Sequence, residues 1–170
     1  EFVPLGYERW LRTWVVDYSS TEEVYWADQP VGVELLPSRA FDSDDQRRRT
    51  QELLSQYAPE DITPQVDAKF RQLADERIRG APLRYYVFLP AARVADMWLR
   101  PRTELLGLDT HWWDFESDVE DASISVALGL LNLALVAAAV VGALRGRVQH
   151  LAMLAGWILL RSALLATLPA

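Results

Sequence analysis

The strongest candidate for a chemical role is Arg161, a single charge inside the apolar run from Leu151 to Leu168. An arginine near the middle of a membrane helix costs about 2.5 to 3.5 kcal/mol on insertion scales, and intramembrane charges are commonly paired and functional. Arg161 is therefore a candidate ligand for the phosphate of a carrier lipid. Two structural roles stay open: extension toward the headgroups, or an ion pair with a carboxylate on another span.

Three more arginines, Arg84, Arg100 and Arg102, lie beside aromatic residues in the sequence. A guanidinium group binds phosphate through two parallel hydrogen bonds, so each of them is a candidate lipid-phosphate ligand. Ordinary contact with lipid headgroups is the alternative role.

A run of carboxylates with one histidine precedes the longest apolar segment. It contains Asp109, His111, Asp114, Glu116, Asp118, Glu120 and Asp121. Oxygen ligands of this kind suit Ca²⁺ or Mg²⁺, but the run lacks the glycine turn and regular spacing of an EF-hand. A solvated charged face is the favoured interpretation, a divalent cation is unproven, and no other cofactor is indicated. Zinc is less favoured because His111 and His150 are predicted on opposite sides of a membrane.

The remaining sequence offers no recognisable catalytic group. It has no glycine-rich phosphate loop, no G-x-S-x-G elbow and no Ser/His/Asp set. It also has no cysteine, which excludes thiol chemistry and disulfides. Residues 1 to 121 carry 14 basic and all 24 acidic side chains, a net charge of −10, so nucleic acid is an unsuitable partner.

Two apolar segments follow the acidic part. Residues 122–144 contain no ionisable group and exceed the roughly 20 residues that cross a bilayer, which predicts a transmembrane helix. Residues 151–168 are predicted to form a second one. The basic loop 145–150 between them is predicted to be cytoplasmic, and the acidic domain 1–121 extracytoplasmic. A hairpin buried in a soluble protein is disfavoured because both segments are apolar all round.

The predicted fold is therefore mainly α, a small helical extracytoplasmic domain followed by two transmembrane helices. Both chain ends are expected outside the cytoplasm. Small residues spaced four apart, such as Ala134 and Ala138, favour close packing against further helices. We expect the chain to be a piece of a longer polytopic protein whose other spans are its partners.

Helix signals within the acidic domain are local and specific. Ser43 to Gln46 has capping-box spacing and opens a helix from Arg47 to Tyr57. Thr63-Pro64 opens another that closes at Gly80. Residues 83–99 form a third predicted helix, aromatic and interfacial, which Pro90 kinks or splits. A short helix is predicted from Tyr7 to Val16 and a strand from Val31 to Leu36.

Six of the seven tryptophans lie outside the apolar segments. Tryptophan concentrates where water meets lipid headgroups, so Trp98, Trp112 and Trp113 are predicted interface anchors that flank the first span. The alternative is that such aromatics fill a globular core.

Several strings of the sequence resemble a known family. They are Arg9 to Val16, Tyr85 to Leu106 with Trp98-Leu99-Arg100-Pro101-Arg102-Thr103-Glu104, Trp112-Trp113, and Leu160 to Ala163. They look like the C-terminal half of bacterial family 39 glycosyltransferases, membrane enzymes akin to protein O-mannosyltransferases and to the lipid A aminoarabinose transferase. The similarity extends over most of the chain, but its motifs are not a catalytic signature.

The resemblance implies a GT-C architecture in a bacterial inner membrane, with a periplasmic domain and a polyprenyl-phosphate-linked sugar as donor. It also implies that the catalytic acidic residues lie in an earlier loop that no segment here matches, so this chain alone is expected to be inactive. The alternative hypothesis is a non-enzymatic, membrane-anchored module whose acidic helices bind a partner protein.

Overall fold

The structure is a computed structural model that describes residues 3–24, 31–56, 63–103, 106–108, 111–112, 115–116, 118–146 and 151–166. It is mainly helical, with 75% helix and no strand within these ranges. The predicted helical class is confirmed. Two compact units divide the chain: an outer unit of residues 1–93 and 166–170, and a second unit of residues 94–165.

Seven α-helices account for most of the described chain. Their bounds are α1 Leu5–Leu11, α2 Tyr18–Val24, α3 Asp44–Leu54, α4 Pro64–Gly80, α5 Leu89–Leu99, α6 Val119–Arg145 and α7 Leu151–Ala166. A 3₁₀ turn at Ser38–Ala40 precedes α3, and a π-helical turn at Arg84–Phe88 leads into α5.

The core of the outer unit lies between α1 and α4. Tyr7 and Trp10 point from α1 toward Phe70 of α4, with ring centroids 5.1 and 5.3 Å from the phenyl ring. Trp14 follows one turn after Trp10, its ring centroid 5.4 Å away. These separations lie in the favourable range for aromatic pairs. The core interpretation therefore holds for Trp10 and Trp14, each 1% exposed.

Polar contacts fix how α1 meets α4. Asp67 is buried on α4, and its Oδ1 accepts hydrogen bonds from the backbone N–H groups of Gly6 at 2.7 Å and Tyr7 at 2.9 Å. The carboxylate thus caps the free N–H groups at the start of α1 from another helix. A Cβ on Gly6 would lie 2.1 Å from the Asp67 carbonyl oxygen, so this approach requires glycine.

Arg77 of α4 is a second buried polar residue that connects α4 to the N-terminal segment. It donates to Thr13 Oγ1 at 2.9 Å, to Ala40 O at 2.8 Å and to Arg39 O at 2.9 Å. Burial lowers the pKa of Arg77 to about 10, so the side chain is cationic at neutral pH, and Asp42 lies 3.4 Å away as its counter-ion. A buried cation is tolerated here because its donors are satisfied.

Local signals set the starts of α3 and α4. Ser43 Oγ accepts from Gln46 N at 3.2 Å, and Thr63 Oγ1 accepts from Val66 N at 3.4 Å. Helix α3 ends at Leu54, before the predicted Tyr57, which lies outside the described residues. The predicted strand from Val31 to Leu36 is wrong: the segment turns, with Leu35 N donating to Gly32 O at 3.1 Å.

The predicted interfacial helix is continuous from residue 82 to 99 but changes its winding. Leu89 N donates to Arg84 O, five residues earlier, in place of the usual i to i−4 bond. Pro90 follows immediately and has no N–H to donate, which explains why the irregular turn lies at this point. The predicted split at Pro90 does not occur: the helix continues through a widened turn.

Helix α6 is long and apolar enough to cross a membrane. Its 27 residues contain a window of mean hydropathy 2.5, of which only 6% is buried. An exposed apolar surface of this kind is compatible with a lipid environment. Helix α7 is also apolar, but over its 16 described residues it is shorter than a span. The second span stays a prediction.

Candidate functional site

Two of the four candidate phosphate ligands line the same groove. The groove lies within residues 94–165 and has a volume of about 250 Å³. Its lining residues are Met97, Trp98, Arg102, Trp157, Ile158 and Arg161. We call it the arginine groove.

Helix α7 supplies one side of the arginine groove. Trp157, Ile158 and Arg161 follow each other at helical spacing, so their side chains share one face of α7. Ser162 is the next residue, and its buried hydroxyl accepts a hydrogen bond from Trp98 Nε1 at 3.1 Å. This bond fixes the Trp98 indole against α7.

Helix α6 positions the other side. Asn132 Nδ2 donates to Trp98 O at 2.8 Å and to Arg100 O at 3.4 Å, two carbonyls at the C-terminal end of α5. One turn earlier, a Cβ on Gly129 would lie 3.2 Å from Pro101 Cγ, so the chain approaches α6 closely here. Asn132 lies about 16 Å along α6 from Asp121, well inside the apolar length of the helix.

Both guanidinium groups belong to residues that line the groove. Arg161 is exposed, and no carboxylate of the described residues pairs with it. Arg102 is also exposed, and its Nη2 donates to Met97 O, which orients the group. Two positive charges that line one groove attract an anion. The flanking indoles of Trp98 and Trp157 add apolar walls suited to a lipid-borne ligand.

The other two candidate arginines have different surroundings. Arg100 forms an ion pair with Asp96 at 3.6 Å. Arg84 lies in the outer unit, where its Nη1 and Nη2 each donate to a different Asp42 carboxylate oxygen at 2.7 Å. The structure therefore does not bring Arg84 or Arg100 to the lining of the arginine groove, and their binding of lipid phosphate stays a prediction.

The ion pair between Arg84 and Asp42 shifts the pKa of both groups. Its hydrogen bond to Arg84 is the main reason that the pKa of Asp42 lies below the ordinary 3.8, and the nearby Arg77 lowers it further. The same hydrogen bond raises the pKa of Arg84. Asp42 therefore links two arginines of the outer unit, a structural task that is satisfied without any ligand.

The carboxylate run before α6 has one clear structural role. Asp118 Oδ1 accepts from Glu120 N at 2.9 Å and Asp121 N at 3.1 Å, so Asp118 is the N-cap of α6. Within the described part of the chain, no three His, Asp or Glu side chains are arranged to hold a metal. Asp109 and Asp114 lie outside the described residues.

The predicted interface anchors are only partly described. Trp98 is 37% exposed and lies beside the apolar length of α6, Trp112 is half-buried, and Trp113 lies outside the described residues. Placement at the headgroup level stays a prediction for all three.

Sequence reasoning missed Trp157 and Asn132. Trp157 precedes Arg161 by four residues, which puts it on the same helical face, and this spacing could have revealed it. Asn132 is the only amide side chain between residues 122 and 144, and a polar group inside an apolar span usually has a role.

No known protein family, curated protein or solved structure matches this chain.

Proposed function

We propose that this chain is the C-terminal portion of a membrane glycosyltransferase and that it holds the phosphate of a polyprenyl-phosphate-linked sugar. The observation that carries the proposal is the joint lining of one groove by Arg102 and Arg161. Sugar transfer to an extracytoplasmic acceptor is completed by catalytic acidic residues outside this chain. The choice of donor follows from the likeness to family 39 enzymes that its arginine- and tryptophan-containing strings suggest, a likeness that stays a prediction.

The position of the groove supports a ligand that arrives from the bilayer. Asn132 holds the end of α5 against the apolar length of α6, and Trp98 there lines the groove. A soluble phosphate would have to leave water to reach this depth, whereas a lipid carries its phosphate along the membrane. Trp98 and Trp157 provide contact for the first isoprene units.

The membrane arrangement completes the proposal. Helix α6 crosses the inner membrane, and residues 1–121 lie on its periplasmic side except for the end of α5, which enters the bilayer beside Asn132. Residues 151–168 return across the membrane. The remaining spans of the longer protein pack on these helices and shield Arg161 from lipid.

Binding of a short-chain polyprenyl phosphate to the detergent-solubilised chain tests the site. Loss of one charged hydrogen-bond partner costs about 1.5 to 3 kcal/mol, so Arg161→Ala and Arg102→Ala should each weaken binding about tenfold to a hundredfold. Arg145→Ala is the matched control, since Arg145 is an exposed arginine at the far end of α6. Equal affinities of all four proteins would refute the site.

The competing function is a membrane-anchored module that binds a partner protein. A groove of about 290 Å³ between α3 and α4 supports it, lined by Arg49, Glu52, Leu53, Gln56, Lys69, Gln72 and Leu73. In the longer protein, loss of sugar transfer in Arg161→Ala with unchanged transfer in Lys69→Ala would favour the enzyme. Absence of sugar transfer by the longer protein, together with binding of a partner protein that Lys69→Ala weakens, would favour the module.

A further inference from the structure

The start of the helix that contains α5 exposes an uninterrupted apolar surface in the outer unit. Its large members are Leu83, Tyr86, Val87 and Phe88, which are 51 to 68% exposed, and Ala91 continues the surface one turn later. We call these five residues the apolar stripe. The π-helical turn lets three consecutive residues, 86 to 88, be exposed together.

Charged groups of the same segment are turned toward the protein. Arg84 is held by both oxygens of Asp42, and Arg93 is 4% exposed. The Arg93 guanidinium donates to Arg12 O, at the end of α1, and to Val15 O at 2.9 Å, three residues further along the chain. This is the reverse of a water-facing helix, whose cations project outward and whose apolar side packs inward.

We propose that the apolar stripe lies in the boundary between the headgroups and the hydrocarbon of the bilayer that α6 crosses. The chain ties the stripe to that bilayer, since only 27 residues separate Ala91 from Val119, the first residue of α6. Tyrosine and phenylalanine suit this boundary, where rings meet both apolar chains and water. The outer unit is acidic, so anionic lipids repel it electrostatically. An apolar contact supplies the attraction to the membrane that its charge does not.

The inference goes beyond sugar transfer. It rests on α6 being in a membrane and on the exposure of the stripe, and it holds whether or not the arginine groove binds a lipid phosphate. Its consequence is that the outer unit has an attachment to the membrane of its own, in addition to the chain connection.

Spin labels at single cysteines test this placement in the whole chain. The sequence has no cysteine, so Leu83→Cys, Val87→Cys and Ala91→Cys give one label each without other changes. The labelled chains are inserted in phosphatidylcholine vesicles, and collision with oxygen is compared with collision with a water-soluble nickel complex. Gln72→Cys, exposed on α4 of the same unit, is the water reference, and Val140→Cys on α6 is the lipid reference.

We expect an oxygen-to-nickel ratio at positions 83, 87 and 91 that is several-fold higher than at Gln72 and close to that at Val140. A ratio equal to that at Gln72 would place the stripe in water and overturn the proposal. Low collision with both reagents would show a protein partner or a second copy on the stripe, which also overturns it. Failure of phosphate binding in the same vesicles would leave this result unchanged.

Discussion

At the scale of single residues, Asp67 offers the sharpest test of the outer unit. Its carboxylate caps α1 from α4 and is 7% exposed, so Asp67→Ala leaves two buried N–H groups without an acceptor. We expect the free energy of unfolding to fall by about 1 to 3 kcal/mol. Urea unfolding followed by near-ultraviolet circular dichroism of the buried Trp10 and Trp14 measures it.

Asp75 is the matched control for Asp67. It also lies on α4 and also bonds to α1, through a 2.8 Å ion pair with Arg9, but both side chains are substantially exposed. Solvent-exposed pairs contribute about 1 kcal/mol or less, so Asp75→Ala should change stability much less than Asp67→Ala. Equal losses in the two variants would show that the cap is not the important contact.

The ion pair of Asp42 should make the stability of the outer unit depend on pH in the acidic range. Because its hydrogen bond to Arg84 lowers its pKa below 3.8 in the folded state, the contribution of Asp42 to stability is complete above pH 3.8. That contribution is lost as the pH falls through the lowered folded value. The difference in melting temperature between wild type and Asp42→Asn should therefore shrink below pH 3.8. Glu34→Gln, an exposed change in the same unit, is measured alongside as the control. A constant difference for Asp42→Asn would contradict the pairing.

At the scale of elements, Asn132 connects α6 to the end of α5. Asn132→Leu removes the hydrogen bonds to Trp98 O and Arg100 O while making α6 more apolar, so membrane insertion should be preserved. We expect weaker binding of polyprenyl phosphate because Trp98 is no longer held in place. Leu130→Ala, an exposed change on the same helix, serves as the control. Wild-type affinity in Asn132→Leu would show that α6 does not position the groove.

The direction in which α6 and α7 cross the membrane is a second test at this scale. Single cysteines at Ser55, Gly146 and Ala170 are treated with a membrane-impermeant maleimide in intact cells. If both segments span, Ser55→Cys and Ala170→Cys react from outside, and Gly146→Cys reacts only after the membrane is opened. Labelling of Ala170→Cys from the cytoplasmic side would show that residues 151–168 do not span the membrane.

At the scale of the whole molecule, the sequence predicted those features that depend on nearby residues. Ser43, Thr63 and Asp118 each begin a helix by a bond to a residue two or three positions later, and two of these starts were predicted. The segment 31–36 was mistaken for a strand because its valines suit a strand as well as a buried turn. Val33 and Leu36 are buried there, and the described part of the chain places no strand beside them.

Long-range contacts could not be predicted from the sequence. Arg102 and Arg161 are separated by 59 positions, and nothing local in the chain indicates that both reach one groove. Likewise, Arg77 meets Thr13, Ala40 and Gln46 only through the packing of α4 against the N-terminal segment. The sequence could show which arginines are candidates for binding phosphate. Only the folded structure shows which of them line the groove and which form ion pairs within the protein.

The central claim is that the arginine groove recognises a phosphate on a polyprenyl lipid. The most direct measurement compares binding of a polyprenyl phosphate with that of the matching polyprenol, which lacks only the phosphate, to wild type and to Arg102→Ala/Arg161→Ala. We predict that wild type prefers the phosphate by at least about tenfold, as expected for one charged hydrogen bond. The double variant should bind both lipids equally weakly. Equal binding of both lipids by wild type, or an undiminished preference in the double variant, would contradict the claim.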